Sequence, residues 1–411
     1  MDKTHTHTPS LNRSISLPVL ILYGMGTMIG GGIYALLGKV AGTSGVMMPL
    51  AFIISTLVAY LTSLSYAGLS SQFPVSAGEA KYVDVAFNSK LLSQIVGLLV
   101  VFTGLASIST LVKAGAGFLF DLTDGVLHES LGVLAVVLLL AFVCYRDIGL
   151  STKIIAAITL IELGGLIAVI GLNYDLFGSF PTYVETVSEE IFTQEFPVLS
   201  AAILSGAFLA FYAFIGFEDM VNVAEEVKDA EKALPKAIIG AFIVTSILYL
   251  LIAYVAITKV DLEVLENAKT PLAVLVSGTD EGGIVISAFT MGIISLIAGL
   301  NGALVQMIMV SRVLYGLSRE GKAPAFLSDL HSHHKTPVKS VLLTAWIALV
   351  CGLLLPVQSL ASYASGVILL VFVFVNLSAF MIGFRHKQIK TSVIAGLAAL
   401  CCLALLYGVF V

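Results

Sequence analysis

Ile29-Gly30-Gly31-Gly32-Ile33-Tyr34 stands in the middle of a continuous apolar run, residues 17–40, long enough to cross a bilayer. Glycine is costly inside a helix, and three in succession at mid-membrane invite the backbone to unwind. Gly26 and Gly30 also form one Gly-x-x-x-Gly pair, so close helix packing is the plainer alternative. Packing alone does not require the triplet. A broken helix placed at the membrane midplane is the feature around which the rest of the chain is read.

The surroundings are apolar throughout. The chain has 411 residues, 58% hydrophobic and 11% charged, against about 25% charged in a soluble domain. That scarcity excludes soluble enzymes, nucleic-acid binders and disordered scaffolds. Long unbroken apolar runs, without strand-like alternation, predict helices rather than a β-barrel. Eleven spans are expected, at 17–40, 46–69, 92–119, 131–144, 153–172, 198–223, 237–258, 284–310, 338–357, 362–383 and 392–411. The chain is thus an all-α integral membrane protein of one transmembrane domain, 1–411, with a short tail at 1–16. The charges set its orientation. Of 21 Lys and Arg, Lys39, Lys259 and Lys269 fall on one side, Lys113 lies within a span, and the other 17 lie on the opposite side. Basic loops face the cytoplasm, so the N-terminus is expected there, in a plasma membrane (the inner membrane of a bacterium). The loop 173–197 carries acidic residues without a basic one and is expected outside.

A second interruption lies in the sixth span, where Tyr212-Ala213-Phe214-Ile215-Gly216-Phe217 runs into Glu218 and Asp219. With spans one to five (17–173) and six to ten (198–383) taken as two halves, the eleventh at 392–411 standing apart, both breaks open a half. Paired breaks of this kind point to a transport site at the midplane. Freed N–H groups suit a carboxylate and freed carbonyls suit an ammonium, which is the chemistry of an amino acid.

At these residues the chain resembles the amino acid–polyamine–organocation (APC) superfamily. Ile29–Tyr34 is similar to its first-helix motif. Phe73-Pro-Val-Ser-Ala-Gly-Glu-Ala-Lys-Tyr82 is similar to the segment after helix two. Ala213–Phe217 through Ala224-Glu-Glu-Val-Lys228 to Leu234-Pro235 matches the helix-six signature. Asn301-Gly302, Ser311-Arg312, Ser318–Pro324 and Thr336-Pro337 match that of helix eight and its loop. Gly68 departs, standing where many members have Glu, and a twelfth helix is missing. The resemblance implies a LeuT-type 5+5 inverted repeat with helices 1 and 6 discontinuous, and amino-acid substrates. It implies that Ile29, Gly30, Gly31 and Gly32 bind the substrate carboxylate through backbone N–H groups. Phe214, Ile215 and Gly216 would offer backbone to the amine, and Tyr212 would be an aromatic gate or, more plainly, a core aromatic.

Intramembrane charges single out the remaining candidates. Glu162, central in the fifth span where several relatives carry Lys, is expected to load and release a proton that drives substrate movement; the alternative is a hydrogen-bonded packing residue. Lys113 either snorkels outward or meets a carboxylate of the outer vestibule. Glu218 and Asp219 either shape side-chain selectivity or line the inner vestibule. Glu225 and Glu226 are expected to anchor a cytoplasmic gate or to pair with Arg312 or Arg319. Ser287, Thr290 and Ser295 are hydroxyls available to a sodium ion. Neither the histidines (His5, His7, His331, His333, His334) nor the four cysteines have metal-site spacing, so no metal or cofactor is expected. The spans lack His and any base–nucleophile pair, which argues against an enzyme. The expected activity is secondary active amino-acid transport with the proton as coupling ion, as a monomer or homodimer in the lipid bilayer. Substrate exchange without protons, and a transporter-fold amino-acid sensor, are the alternatives.

Overall fold

The structure, a computed structural model, describes residues 11–122, 126, 128–268, 270–276, 287–355 and 357–407. Lys3, His5, His7 and Lys269 therefore lie outside the described residues. The chain is all helical. The first span is split into α1 (Leu17–Gly31) and α2 (Ile33–Ser44), followed by α3 (Met48–Gln72) and a short helix α4 (Gly78–Phe87). The first half continues through α5 (Lys90–Leu122), α6 (Glu129–Tyr145) and α7 (Ile148–Leu172). Beyond a connecting helix α8 (Phe180–Thr193), the sixth span is split into α9 (Phe196–Tyr212) and α10 (Asp219–Asn222). Then come α11 (Ala230–Lys259), two short helices α12 (Leu262–Asn267) and α13 (Pro271–Val276), and α14 (Ala288–Arg319). The last are α15 (Val338–Leu354), α16 (Val357–Arg385) and α17 (Ile389–Tyr407).

Among the described residues, seven helices are long and apolar enough to cross a membrane. Four shorter apolar helices, Leu17–Gly30, Glu129–Tyr145, Phe196–Tyr212 and Val338–Leu354, fall on the first, fourth, sixth and ninth expected spans. Burial is inverted relative to a water-soluble protein. Leu57, Leu138, Leu160, Ile167 and Leu400 are exposed, whereas Glu79, Glu162, Glu218, Asp219, Glu226 and Arg312 are buried. An apolar exterior over a polar interior is what a lipid solvent selects.

α1 packs against α7, α11 and α14. It sits close because it lacks side chains where they meet: a Cβ on Gly30 would run into the Ala298 carbonyl, and one on Gly26 would meet Asn301 at 2.8 Å. Prolines in the first turns of α1, α3 and α9 start those helices where no N–H donor is needed. Three expectations are adjusted. Segment 173–197, read as a plain loop, folds into a 3₁₀ turn (Tyr174–Ser179) and α8. Phe177, Phe180 and Tyr183 recur at helical spacing and gather on Tyr254, with ring centroids 5.4, 5.6 and 5.5 Å away. The ninth span stops at Leu354, short of Pro356, and the tenth begins at Val357 rather than at 362.

Candidate functional site

The two breaks touch. In the first, helical backbone persists through Gly31, so Ile29, Gly30 and Gly31 are the last residues of α1 and Gly32 (φ −105°, ψ −77°) is the interruption. No side chain caps the start of α2, which leaves its first-turn N–H groups and positive dipole end open to an anion. The expected unwinding is thus narrowed to one residue, because Gly30 is pressed against the Ala298 carbonyl and α1 continues through Gly31.

The second break is longer, residues 213–218. Gly216 has φ +131°, a conformation that side-chain-bearing residues rarely adopt, and a Cβ there would lie 2.8 Å from Thr27 Cβ and 2.9 Å from Met28 N. Gly32 in turn meets the Ala213 backbone. Tyr249 of α11 joins both breaks: its hydroxyl donates toward the Met28 carbonyl (2.8 Å) and the Ala213 carbonyl (3.1 Å). Two carbonyls freed by unwinding are therefore met by a tyrosine. The Gly216 N–H donates to Glu218 Oε2 at 2.7 Å, so that carboxylate caps the break from below. The Phe214 side chain packs on Phe242 and Tyr249 of α11, centroids 5.5 and 5.2 Å distant.

A cavity of about 20 Å³, room for roughly one water, lies between the breaks and helices α5 and α14, lined by Thr27, Ser107, Leu111, Tyr212, Ile215 and Gln306. Tyr212 and Ser107 face it from α9 and α5. Asp219 accepts from Gln306 Nε2 at 2.7 Å. A larger cavity of about 150 Å³ shares Leu111 and reaches Gly30, Tyr34, Phe118 and Ser295.

Glu162 is fully buried on α7. Oε1 accepts from Asn301 Nδ2 at 2.9 Å, and the same amide nitrogen lies 3.2 Å from Thr159 Oγ1. Glu162 Oε2 has no partner among the described residues. Asn301 and Thr159 face α1 at Gly26, and Tyr34 of α2 donates to the Glu162 carbonyl at 3.0 Å. Lys113 is elsewhere: its ammonium donates to the Leu355 carbonyl (3.0 Å) beyond the end of α15. The structure therefore does not bring Lys113 and Glu162 together. Ser287 caps α14 and bonds Thr290, while Ser295 bonds back to the Met291 carbonyl, so these hydroxyls serve their own helix.

The end of the bundle expected to face the cytoplasm is tied by charge. Arg312, fully buried, grips Glu226 through Nε (3.1 Å) and Nη2 (3.0 Å) and holds Ser311 Oγ at 2.9 Å. Arg319 pairs with Glu225 at 2.9 Å. Both pairings expected for these acids are present. Ile15, ahead of α1, bridges to Val227 through backbone bonds of 3.0 and 2.9 Å. Beside them Glu79 of α4 accepts from Asn222 at 3.2 Å. Burial pushes the Glu79 carboxyl up to about 7, against the opposing pull of the Asn222 bond. Tyr249, Gln306, Glu79 and Asn222 were not singled out from the sequence. An isolated amide within Leu304-Val305-Gln306-Met307 is the one of these with a readable signal, since polar groups in spans are rare.

A family model described as amino acid permease matches residues 15–411. The chain belongs to the amino acid permease family. The permease is 25% identical over 426 residues to the branched-chain amino acid permease BcaP of Bacillus subtilis, covering 97% of this chain and 88% of the relative. It is 26% identical over 400 residues to the Arabidopsis thaliana cationic amino acid transporter 3, mitochondrial, covering 93% of this chain and 64% of that protein. Its fold is similar to that of MhsT in complex with L-phenylalanine (TM-score 0.69, 13% identity, 97% and 99% of the two chains). It is also similar to Mhp1 in a closed conformation with bromovinylhydantoin bound (TM-score 0.55, 11% identity, 98% and 94%). The permease is an amino acid transporter with LeuT-fold neighbours, a multi-pass membrane protein and not an enzyme.

Proposed function

We propose that this permease accumulates an amino acid by proton symport across the plasma membrane, its N-terminus in the cytoplasm. The substrate carboxylate sits on the uncapped start of α2 near Gly30–Gly32, and its amine on the carbonyls of the unwound stretch at Phe214–Gly216. The two five-helix halves, 17–173 and 198–383, alternate access by moving the broken helices against the rest.

Glu162 carries this reading. It is a buried carboxyl with no cation paired to it among the described residues, one oxygen without a partner, and a hydrogen-bond donor, Asn301, that lies against the broken first helix at Gly26. A carboxylate buried without a cation costs several kcal/mol. Its charge is therefore tolerated in conformations that admit water and disfavoured in this one, which links proton occupancy to the position of α1. Uptake into vesicles with an imposed pH gradient tests it. Glu162→Gln is expected to abolish gradient-driven accumulation while retaining substrate counterflow. Undiminished accumulation by that variant would overturn proton coupling through Glu162, and counterflow in the wild type without any response to pH would favour exchange.

A further inference from the structure

Gln306 projects from α14 into the wall of the smaller cavity and is 5% exposed. The two ends of its amide are treated differently. Nε2 donates to Asp219 Oδ2 at 2.7 Å. Oε1 is buried and has no hydrogen-bond partner among the described residues. It lies toward α5, 3.3 Å from where a Cβ on Gly104 would stand and one helical turn from Ser107. Of the neighbouring hydroxyls, that of Thr27 is already engaged with the Tyr23 carbonyl at 2.9 Å. Rotating the amide to exchange its ends would give up the 2.7 Å bond from Nε2 to Asp219 Oδ2. Asp219 thereby holds the carbonyl outward. A buried acceptor kept without a donor is a standing cost that a donor on a bound molecule removes.

We propose that Gln306 selects the side chain of the transported amino acid, and that this side chain is short and carries a hydrogen-bond donor, as a hydroxyl does. The proposal rests on the transport reading above and deepens it. Leu111 and Ile215 supply apolar wall for a methyl or methylene beside that hydroxyl. Threonine satisfies both demands. Valine has the same shape but would set a methyl against the Gln306 carbonyl, leaving it unpaired. A site built to pair a substrate hydroxyl rejects the isostere that lacks it. Asp219 acts through Gln306 as a positioning residue.

The experiment is a binding comparison of threonine and valine by thermal shift on the purified full-length protein, followed by competition of each against the other's uptake in vesicles. Threonine is expected to bind about tenfold or more tightly than valine. Gln306→Met, of similar length but without the acceptor, is expected to erase or invert that order. Asp219→Asn frees the amide to turn and should narrow the ratio without inverting it. Valine binding as well as threonine to the wild type overturns the proposal, a comparison that stands even where a variant does not fold. A threonine preference kept by folded Gln306→Met also overturns it. Failure of all twenty amino acids to stabilise or enter would sink the transport reading and this proposal with it, whereas uptake favouring valine sinks this proposal alone.

Discussion

Arg312→Gln probes the tie at the end of the bundle expected to face the cytoplasm. The guanidinium is fully buried, makes two bonds to Glu226 at 3.1 and 3.0 Å, and joins α14 to the segment that follows α10. Removing it leaves the Glu226 carboxylate buried and unpaired, a loss of about 3–5 kcal/mol for a pair of this kind. That penalty applies while this end is closed, because opening gives Glu226 water. At about 1.4 kcal/mol per decade the balance moves by about two to three and a half powers of ten toward the open form. Cys144 is a native reporter, 1% exposed and close enough to Arg312 to feel its charge. With Cys351, Cys401 and Cys402 replaced by alanine, the labelling rate of Cys144 by a water-soluble maleimide measures opening. Arg312→Gln should raise that rate about a hundredfold, and adding Glu226→Gln should return it most of the way, since no unpaired charge remains. A folded Arg312→Gln protein that labels at the wild-type rate would refute the reasoning.

Two further outcomes follow from single groups. Glu79 lies outside the spans, and burial raises its carboxyl from 4.5 to about 7. The folded state thus favours the neutral acid: its contribution to stability is complete below pH 4.5 and is lost as pH rises through about 7. The melting temperature of the wild type should fall relative to that of Glu79→Gln across this window, and parallel curves would contradict it. Tyr249→Phe removes the hydroxyl shared by the Met28 and Ala213 carbonyls, each buried between the broken helices. At about 1–3 kcal/mol for an orphaned acceptor, the KM for uptake should rise about tenfold, and an unchanged KM would argue against the clamp.

Much of the architecture is legible in the chain because a lipid solvent simplifies the code. Apolar runs mark the spans and seventeen basic residues mark one side. What escapes is whatever depends on the partner across a helix interface. The glycine triplet predicts a break but not its length, since Gly30 lies against α14, the helix runs through Gly31 and only Gly32 yields. Phe214 sits in a signature motif, yet Phe242 and Tyr249 draw its ring into the scaffold. Lys113 looks like a partner for an acid until the terminal carbonyl beyond α15 comes within reach. Glu162 is visible as a lone charge in a span, whereas its hydrogen-bond donor, Asn301, lies 139 residues away and is visible only as part of a motif. Gln306 and Tyr249 are ordinary polar residues in sequence, and they acquire roles because the fold sets them against a carboxylate and two freed carbonyls.

The account turns on protons moving with the amino acid. Simultaneous recording of internal pH and radiolabelled substrate in proteoliposomes tests this most directly. The wild type should acidify the lumen in fixed proportion to substrate entry, and Glu162→Gln should exchange substrate with no acidification. Net substrate accumulation by the wild type at constant internal pH would contradict the account.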